Sequence, residues 1–299
     1  MVFRPPGGRL IKDPEDLRVG DIIIRNKCDH RCVCIAGAPW DWSTAGRPGA
    51  RYAPTKLREH LYSLNIHSDQ CICDSGDIDV APGDLRATSS RIYNAVKTLL
   101  DTCKSFLLLG GDHSITRYSV SAILDKKGSE GGLVIFDAHL DLRKISEGLS
   151  SGTYLRELLE ERGKDLKVIV IGIRRHSIPR YMLDLAEKLG VRYIESEKLD
   201  PQEAARIIYE NLSSSKWIYM SFDSDSLDPH ECPGVNSPSP LGITLRDAVK
   251  IMGSVSKLGK LIGGDIVEYV PILDHGEICG RYLAYIAYKM IESMNSIVA

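Results

Sequence analysis

Strand-like and helix-like apolar stretches alternate along the chain from about residue 32 to the C-terminus. Residues 86–104 predict a helix, because their apolar positions fall on one helical stripe formed by Ile92, Val96, Leu99, Leu100 and Cys103. Short apolar runs predict strands at 32–37, 105–111, 132–139, 168–174, 191–194, 217–225 and 261–270. Further helices are predicted at 115–127, 154–163, 178–190, 201–212, 244–255 and 281–294.

Several of the predicted strands are continuous apolar runs, which indicates that both faces of their sheet are covered. Together with the strand–helix alternation, this predicts one α/β domain, residues 1–299, with a doubly wound, mostly parallel sheet and helices on both faces. Residues 1–31 precede the alternating pattern and are predicted to be an N-terminal extension. Ligands of such sheets bind beyond the carboxyl ends of the strands, so functional residues are expected there.

Composition and charge exclude several classes of function. The 299 residues have 43% hydrophobic and 26% charged side chains and a net charge of −2, which is ordinary for a globular protein. No long Lys/Arg run predicts a nucleic-acid or membrane-surface partner. No apolar stretch approaches the ~20 residues of a membrane span, and the N-terminus lacks the apolar core of a signal peptide. We therefore expect a cytoplasmic protein with no nucleic-acid or membrane partner.

The eight cysteines are predicted to be neither disulfides nor a zinc site. Cys32 and Cys34, like Cys71 and Cys73, are spaced by two within short strand-like segments, so each pair lies on one face of its strand. A buried cysteine there acts as a small hydrophobic residue. No C-x-x-C knuckle is present, and a reducing compartment disfavours disulfides.

Polar side chains follow three of the predicted strands. The first motif, LLLGGDHSIT (107–116), places Asp112 and His113 between two glycines and a helix; a glycine turn with a helix-capping side chain also explains this pattern. In the second, LVIFDAHLDLR (133–143), Asp137, His139 and Asp141 are spaced by two, so all three point to one side. Two carboxylates and an imidazole at one place repel one another and lose hydration unless a cation is present.

A third motif, IYMSFDSDSLDP (218–229), places Asp223 and Asp225 two apart at the end of a strand, although a solvated acidic loop explains this motif as well. The three motifs together supply two imidazoles and four carboxylates, more ligands than one structural zinc uses. They suit two adjacent ions, and the oxygen-rich ligand set favours manganese. The sequence therefore predicts a hydrolase with two Mn²⁺ ions per chain.

The segments GGDHS, DAHLD and SFDSDSLDP resemble, in the same order, the metal motifs of the ureohydrolases, the family of arginases, agmatinases and formimidoylglutamases. Residues 38–61 and 264–271 are similar to the flanking segments of that family. The resemblance implies an arginase-like fold and a homo-oligomer, a trimer or a hexamer. It also divides the ligands between the two ions. The first ion and the bridge to the second are assigned to His113, Asp137, Asp141 and Asp225. The coordination of the second ion is completed by His139 and Asp223.

By the same resemblance, Glu268 matches the family glutamate that binds the guanidinium or amidinium of the substrate. In the mechanism that we expect for the predicted metal site, Asp141 passes a proton from the hydroxide to the leaving amine. The resemblance also indicates a subfamily. Ser151-Gly152-Thr153 replaces the His-Gly-Thr of agmatinases, and Arg143 directly follows DAHLD. These features and PGVNSPSPLG (233–242) are similar to formimidoylglutamases, which split N-formimidoyl-L-glutamate into glutamate and formamide, although Tyr154-Leu155 replaces the Pro-Phe common there.

The charges favour the same substrate. Arg143 and Arg174 are expected at the rim of the site, where arginines bind carboxylates through paired hydrogen bonds and repel an amine. The predicted substrate-binding residues are therefore Arg143, Ser151, Arg174 and Glu268. Arg143 alternatively neutralises the neighbouring acidic side chains. An agmatinase or another guanidino hydrolase that releases urea is the runner-up, and a metal-binding relative without activity is the second alternative.

Overall fold

One parallel sheet of nine strands forms the centre of the protein in the computed structural model, which describes residues 13, 15–25, 28–67, 69–144, 146, 148–163 and 165–296. The strand order is β1-β3-β2-β4-β9-β8-β5-β6-β7 and every paired neighbour is parallel. The strands are β1 Ile24–Arg25, β2 Val33–Gly37, β3 Ile72–Asp77, β4 Ser105–Leu109, β5 Gly131–Phe136, β6 Lys167–Ile173, β7 Arg192–Glu195, β8 Trp217–Asp223 and β9 Leu261–Val267.

Helices cover both faces of this sheet. They are α1 Val19–Ile22, α2 Ala53–Leu61, α3 Leu85–Thr102, α4 Ile115–Lys127, α5 Tyr154–Arg162, α6 Arg180–Lys188, α7 Pro201–Leu212, α8 Leu245–Ser256 and α9 Ile278–Asn295. Several begin where a side chain binds a free backbone N–H of the first turn: the Asp84 carboxylate accepts from Ala87, and the Thr244 hydroxyl accepts from Asp247.

Consecutive strand residues pack into different cores, which explains the continuous apolar runs of the sequence. In β4, Leu107 and Leu109 face the core formed with α2, α7, α8 and α9, whereas Phe106 and Leu108 face the core formed with α3, α4, α5 and α6. All four of these side chains are fully buried. The prediction of an α/β fold with a parallel sheet and helices on both faces is confirmed.

Residues 1–12, 14, 26 and 27 of the predicted N-terminal extension (1–31) lie outside the described residues. The remainder of that segment contributes to the domain: β1 pairs with β3, and Val19 of α1 is fully buried. No helix in the part of the chain that the structure describes is both long and apolar enough to cross a membrane.

The prediction that the cysteines form no disulfides was wrong. The structure pairs Cys32 with Cys71, Cys34 with Cys103, and Cys232 with Cys279. The spacing of two describes each strand alone, but β3 lies beside β2, and residues of different elements meet across the sheet. Cys32, Cys34 and Cys103 therefore lie in the core on one face of the sheet, whereas Cys232 and Cys279 lie in the core on the other face.

Candidate metal centre

The strands that lead into the three motifs, β4, β8 and β5, lie at the centre of the sheet, and β9, which leads into Glu268, lies between β4 and β8. Their carboxyl ends meet at one edge because all four are parallel. The loops that follow these strands, residues 110–114, 137–142, 224–228 and 268–270, therefore lie side by side and form the site.

The loop after β4 requires a glycine to bring His113 into the site. A Cβ on Gly111 would lie 1.7 Å from the carbonyl oxygen of Trp40, so only glycine allows this close approach. The following residue, Asp112, donates its backbone N–H to the carbonyl oxygen of Trp40 (2.7 Å). The Asp112 carboxylate accepts the N–H groups of Ser43 and Ser114. Asp112 thus holds the loop, and His113 faces the neighbouring motifs.

In the second motif, the extended backbone after β5 aims Asp137 and His139 at the same region, as their spacing predicts. Asp141 has a φ of +49°, in the left-handed region, and its carboxylate lies 3.3 Å from His113 Nδ1. In the third motif, the Asp223 carboxylate accepts the N–H of Asp225 (2.8 Å). The Asp225 carboxylate accepts the N–H of Ala138 (3.2 Å), which links the two loops.

The structure brings these side chains together as two overlapping groups of potential metal ligands. His113, Asp137 and Asp223 form one group, and Asp137, His139 and Asp225 form the other, with the ligand atoms of each group within 4.8 Å of one another. Asp137 belongs to both groups, which is the arrangement expected of a carboxylate between two ions. The predicted division of the ligands is corrected in one respect: Asp223 lies with His113 and Asp225 with His139.

The contacts of His113 fit a metal ligand. Its Nδ1 is 3.0 Å from Asp223 Oδ2, 3.2 Å from Asp137 Oδ2 and 3.3 Å from Asp141 Oδ2. This nitrogen is buried and makes no directed hydrogen bond to any described residue. Three carboxylate oxygens and an imidazole nitrogen that face one another at such distances are satisfied by a cation at their centre. The residues present therefore fit a divalent ion.

The opposite ring nitrogen of His113 is fixed by a buried polar network. Nε2 is 2.8 Å from the Ser221 hydroxyl and 3.0 Å from the Tyr154 hydroxyl. The Ser221 hydroxyl donates to Asp265 (2.6 Å), which also accepts from Thr116 and Tyr219. A proton on Nε2 that is donated into this network leaves Nδ1 as the acceptor that faces the carboxylates.

The electrostatics of the site also favour bound cations. Burial and the charge of Asp137 raise the pKa of Asp141 to about 6, and burial together with Asp225 raises the pKa of Asp223 above its usual value. Burial lowers the pKa of His139, but Asp225 and Asp137 outweigh this effect and raise it to about 12. The carboxylates therefore compete for positive charge, which divalent ions supply.

Glu268 follows β9 directly and faces the same cleft. Its φ of +62° is in the left-handed region, and its side chain is buried. One carboxylate oxygen accepts the backbone N–H of His113 (2.9 Å), and the other accepts from the amide of Asn236 (3.2 Å). Burial and the nearby Asp112 raise the pKa of Glu268 to about 8. A planar cation in the cleft would therefore find a fixed and weakly hydrated carboxylate.

The motifs line a cleft of about 430 Å³, within the range of small-molecule sites. Arg143 is exposed at the rim of the cleft, where its aliphatic stem lies beside Gly152. Ser151 is buried in the wall, and its hydroxyl oxygen accepts the N–H of Ala45 (3.0 Å). These two of the predicted substrate-binding residues therefore lie at the cleft together with Glu268.

Comparison with known proteins identifies the family. The family model of the arginases matches residues 31–292. The chain belongs to the arginase family. Proclavaminate amidinohydrolase from Streptomyces clavuligerus is 32% identical over 262 residues, which cover 82% of this chain and 82% of that protein. A formimidoylglutamase from Halalkalibacterium halodurans is 32% identical over 279 residues, 86% of each chain.

A solved structure gives the same result for the fold. Formimidoylglutamase from Bacillus subtilis superposes with a TM-score of 0.90 at 26% identity, covering 99% of this chain and 97% of that one. The predicted ureohydrolase family and arginase-like fold are thus confirmed, and the chain is an arginase-family hydrolase. Its two relatives are named for different substrates, so family membership fixes the class of reaction rather than the substrate.

One predicted site residue of this arginase-family chain lies elsewhere. Arg174 is 1% exposed, and its guanidinium donates to four backbone carbonyls instead of lining the cleft. The acceptors are Gly172, Asp225, Ser226 and Leu227, at 2.6–3.0 Å. Its predicted role in binding substrate is therefore corrected: Arg174 fixes the loop that presents Asp225. Arg175, the next residue, pairs with Glu195 at the surface.

The sequence-based prediction also missed residues that support the site. Ser221 precedes Asp223 by two residues in β8 and so shares its face, a signal that was available in the spacing. Tyr154 and Asn236 had no such signal, because each reaches the site from a different loop or helix. Tyr154 contacts the ring of His113, with 4.4 Å between ring centroids, and Asn236 binds Glu268.

Proposed function

We propose that this protein is a two-manganese hydrolase that cleaves a C–N bond of a linear amidine, with N-formimidoyl-L-glutamate as its favoured substrate. The products are glutamate and formamide. The observation that supports this proposal most strongly is the pair of ligand groups that share Asp137 in a cleft also lined by Glu268. One ion requires only one such group.

The proposed ligands are two imidazoles and four carboxylates: His113, Asp137, His139, Asp141, Asp223 and Asp225. This oxygen-rich set, without a thiolate, suits Mn²⁺ better than a structural zinc. Held by these residues, two such ions would supply a water molecule of lowered pKa as the nucleophile and would stabilise the negative charge that develops during its attack. The chain itself must then hold the substrate and move a proton.

Glu268 is the residue proposed to hold the amidinium. Its carboxylate is fixed by His113 and Asn236, so it faces the cleft in one orientation before substrate binds. A fixed carboxylate pairs with a planar cation through two charge-assisted hydrogen bonds. Asp141 lines the same cleft, and we assign to its carboxylate the transfer of a proton to the leaving nitrogen.

The tail of the substrate distinguishes the candidates. Arg143 offers an exposed guanidinium at the rim, and Ser151 offers a hydroxyl proton from the wall. A dicarboxylate tail gains charge-assisted bonds there, whereas an amine tail meets like charge, and the difference between the two interactions sets specificity. The formimidoylglutamase relatives, which cover 86% and 99% of this chain, support the same substrate.

A guanidino hydrolase that releases urea, such as an agmatinase, is the second candidate. Glu268 would bind a guanidinium as well as an amidinium, and one relative is named an amidinohydrolase. Arg143 argues against an amine tail, but not against a guanidino acid. The resemblance also leads us to propose a homo-oligomer, a trimer or a hexamer, which light scattering measures directly.

A substrate panel tests the proposal. Purified manganese-loaded protein is assayed with N-formimidoyl-L-glutamate, agmatine, arginine and 4-guanidinobutyrate, and formamide, glutamate and urea are quantified. Asp223→Asn, which replaces a proposed ligand at nearly constant size, serves as the control and should lose most of the activity. We expect formamide and glutamate to form fastest. Urea as the main product would overturn the substrate, and no hydrolysis of any compound would favour the alternative of a metal-binding relative without activity.

A further inference from the structure

Six cysteines lie together at the edge of the sheet formed by β1, β3 and β2, away from the metal centre. Two pairs among them are already joined, Cys32 to Cys71 and Cys34 to Cys103. The other two, Cys28 and Cys73, stand outside the three disulfides of the described residues. Cys73 is fully buried on the face covered by α3, and the partly buried Cys28 packs against the same core.

We propose that Cys28 and Cys73 form a fourth disulfide, so that all eight cysteines of the chain are paired. Their sulfur atoms are 2.9 Å apart, although 45 positions separate them in the sequence. Closing this gap to the length of a disulfide, about 2.05 Å, requires a shift of less than one ångström. Cys28 lies between β1 and β2 in the sequence, and its partly buried side chain packs against the core that contains Cys73.

A bound soft metal ion is the competing explanation for this cluster. The sulfur of Cys34 lies within 4.8 Å of the sulfurs of Cys28 and Cys73, as three metal ligands would. However, Cys34 is bonded to Cys103, and metals bind cysteine as the thiolate. Among the residues that the structure describes, Cys28 and Cys73 then supply two thiolates, with the Ser75 hydroxyl 3.0 Å from Cys28, and a structural zinc uses four ligands. The disulfide therefore fits these residues better.

The oxidation requires a low-molecular-weight disulfide, R–S–S–R, as its oxidant. The Cys28 thiolate attacks one sulfur of R–S–S–R and releases R–S⁻. The Cys73 thiolate then attacks the Cys28 sulfur of the mixed disulfide and releases a second R–S⁻. Two S–H bonds are lost, one S–S bond forms, and the two protons leave with two R–SH. Cys28 lines an open cavity of about 530 Å³ beside Thr98 and Thr102, which admits such a reagent.

The bond would join two separate parts of the chain at the N-terminal edge of the sheet. Cys73 of β3 lies in register with Ile24 of β1 on one side and with Cys34 of β2 on the other. Cys28 lies between β1 and β2 in the sequence, whereas Cys73 lies in β3, which stands between those two strands in the sheet. A disulfide there closes a loop of 45 positions and removes conformational freedom from the unfolded chain. The N-terminal edge of the sheet is thus the part that gains stability.

Peptide mapping tests the bond directly. The folded protein is treated with oxidised glutathione, unfolded in iodoacetamide without reductant, and digested with trypsin. Cys28 is the one cysteine of the tryptic peptide 28–31, whereas Cys73 shares peptide 59–86 with Cys71. We expect no alkylated cysteine, and peptide 28–31 retained in the cross-linked product. Release of an alkylated peptide 28–31, with the other disulfides intact, would overturn the proposal.

Thermal unfolding of Cys28→Ser provides an independent test. Without reductant, the variant should unfold roughly 5 °C or more below the parent protein, because it lacks one loop constraint. In excess reductant the two proteins should unfold at the same temperature, since the difference depends on the bond. Hydrolase activity at moderate temperature serves as the control for folding. Equal Tm values without reductant, or one equivalent of zinc that Cys28→Ser loses, would contradict the disulfide.

Discussion

The shared position of Asp137 makes a specific prediction about metal stoichiometry. The two ligand groups overlap in this residue alone: one of its oxygens lies 3.2 Å from His113 Nδ1, and the other lies 3.5 Å from His139 Nδ1. Asp137→Asn should therefore weaken the binding of both ions. Asp225→Asn should weaken the ion beside His139, because Asp225 belongs to that group only.

The magnitude follows from the burial of the site. Asp137 is 1% exposed and Asp225 is 4% exposed, so water replaces the lost charge poorly. Removing one partner of a buried charged pair costs about 3–5 kcal/mol, which corresponds to roughly 10²–10⁴-fold in affinity at about 1.4 kcal/mol per tenfold. Asparagine keeps the size of aspartate, and Tm and circular dichroism show whether each variant remains folded.

The assay is equilibrium dialysis of each protein against a series of Mn²⁺ concentrations, with elemental analysis of the protein. The parent protein should bind two ions per chain. At a concentration that just saturates it, Asp225→Asn should retain about one ion and Asp137→Asn close to none. Two retained ions in folded Asp137→Asn, or the loss of one ion only, would refute the shared position. One tightly bound zinc in the parent protein would refute the two-ion site itself.

Three further predictions concern individual side chains. Glu268→Gln should lower kcat/KM for an amidine about 100-fold or more, since a buried carboxylate that faces a cation loses its charge; unchanged kinetics would remove Glu268 from the site. Arg143→Ala should raise KM for a dicarboxylate about tenfold, the effect of one charged hydrogen bond of ~1.5–3 kcal/mol, and should leave KM for agmatine unchanged or lower. Arg174→Lys should lower Tm and weaken Mn²⁺ binding about 10–100-fold, because an ammonium cannot reach all four carbonyls; a loss of substrate affinity with unchanged metal content would restore its predicted role.

Strand burial explains why the fold could be predicted from the sequence. The central strands are apolar on both faces because each face has its own core, and the helices are long and regular. β1 has two residues and therefore no detectable pattern. Helix α2 was not predicted: its segment was noted only for its similarity to a flanking segment of the ureohydrolases, whereas its apolar face packs against α9.

The metal centre was predictable where the chain is extended and unpredictable where it turns. A spacing of two at the end of a strand predicts a shared direction for Asp137 and His139, or for Asp223 and Asp225, without any knowledge of the rest of the chain. The same rule gives no direction for Arg174, whose long side chain turns beneath the loop of Asp225. Residue spacing also could not assign Asp223 and Asp225 to their groups, because that depends on how β8 lies between β9 and β5.

The prediction that the cysteines form no disulfides was wrong because of an assumption about the compartment, not because the sequence pattern was misread. An expected reducing compartment was allowed to decide against disulfides, while the sheet order that places β3 beside β2 was not known. Once that order is known, Cys34 is found in register with Cys73, and Cys71 is the residue directly before β3. The pairing of cysteines depends on contacts between strands, which periodicity along a single strand does not contain.

The backbone of the site supports its assignment independently of any ligand. Among the described non-glycine residues, positive φ values occur at Asp141, Leu241, Glu268 and Glu277, and two of these four side chains line the cleft. Such conformations cost roughly 1–3 kcal/mol each and persist where the surrounding structure enforces them. At Asp141 and Glu268 the left-handed turn points a carboxylate into the cleft instead of continuing along the strand. The unfavourable backbone conformations of Asp141 and Glu268 therefore lower the stability of the fold at the two residues to which the proposed mechanism assigns proton transfer and substrate binding.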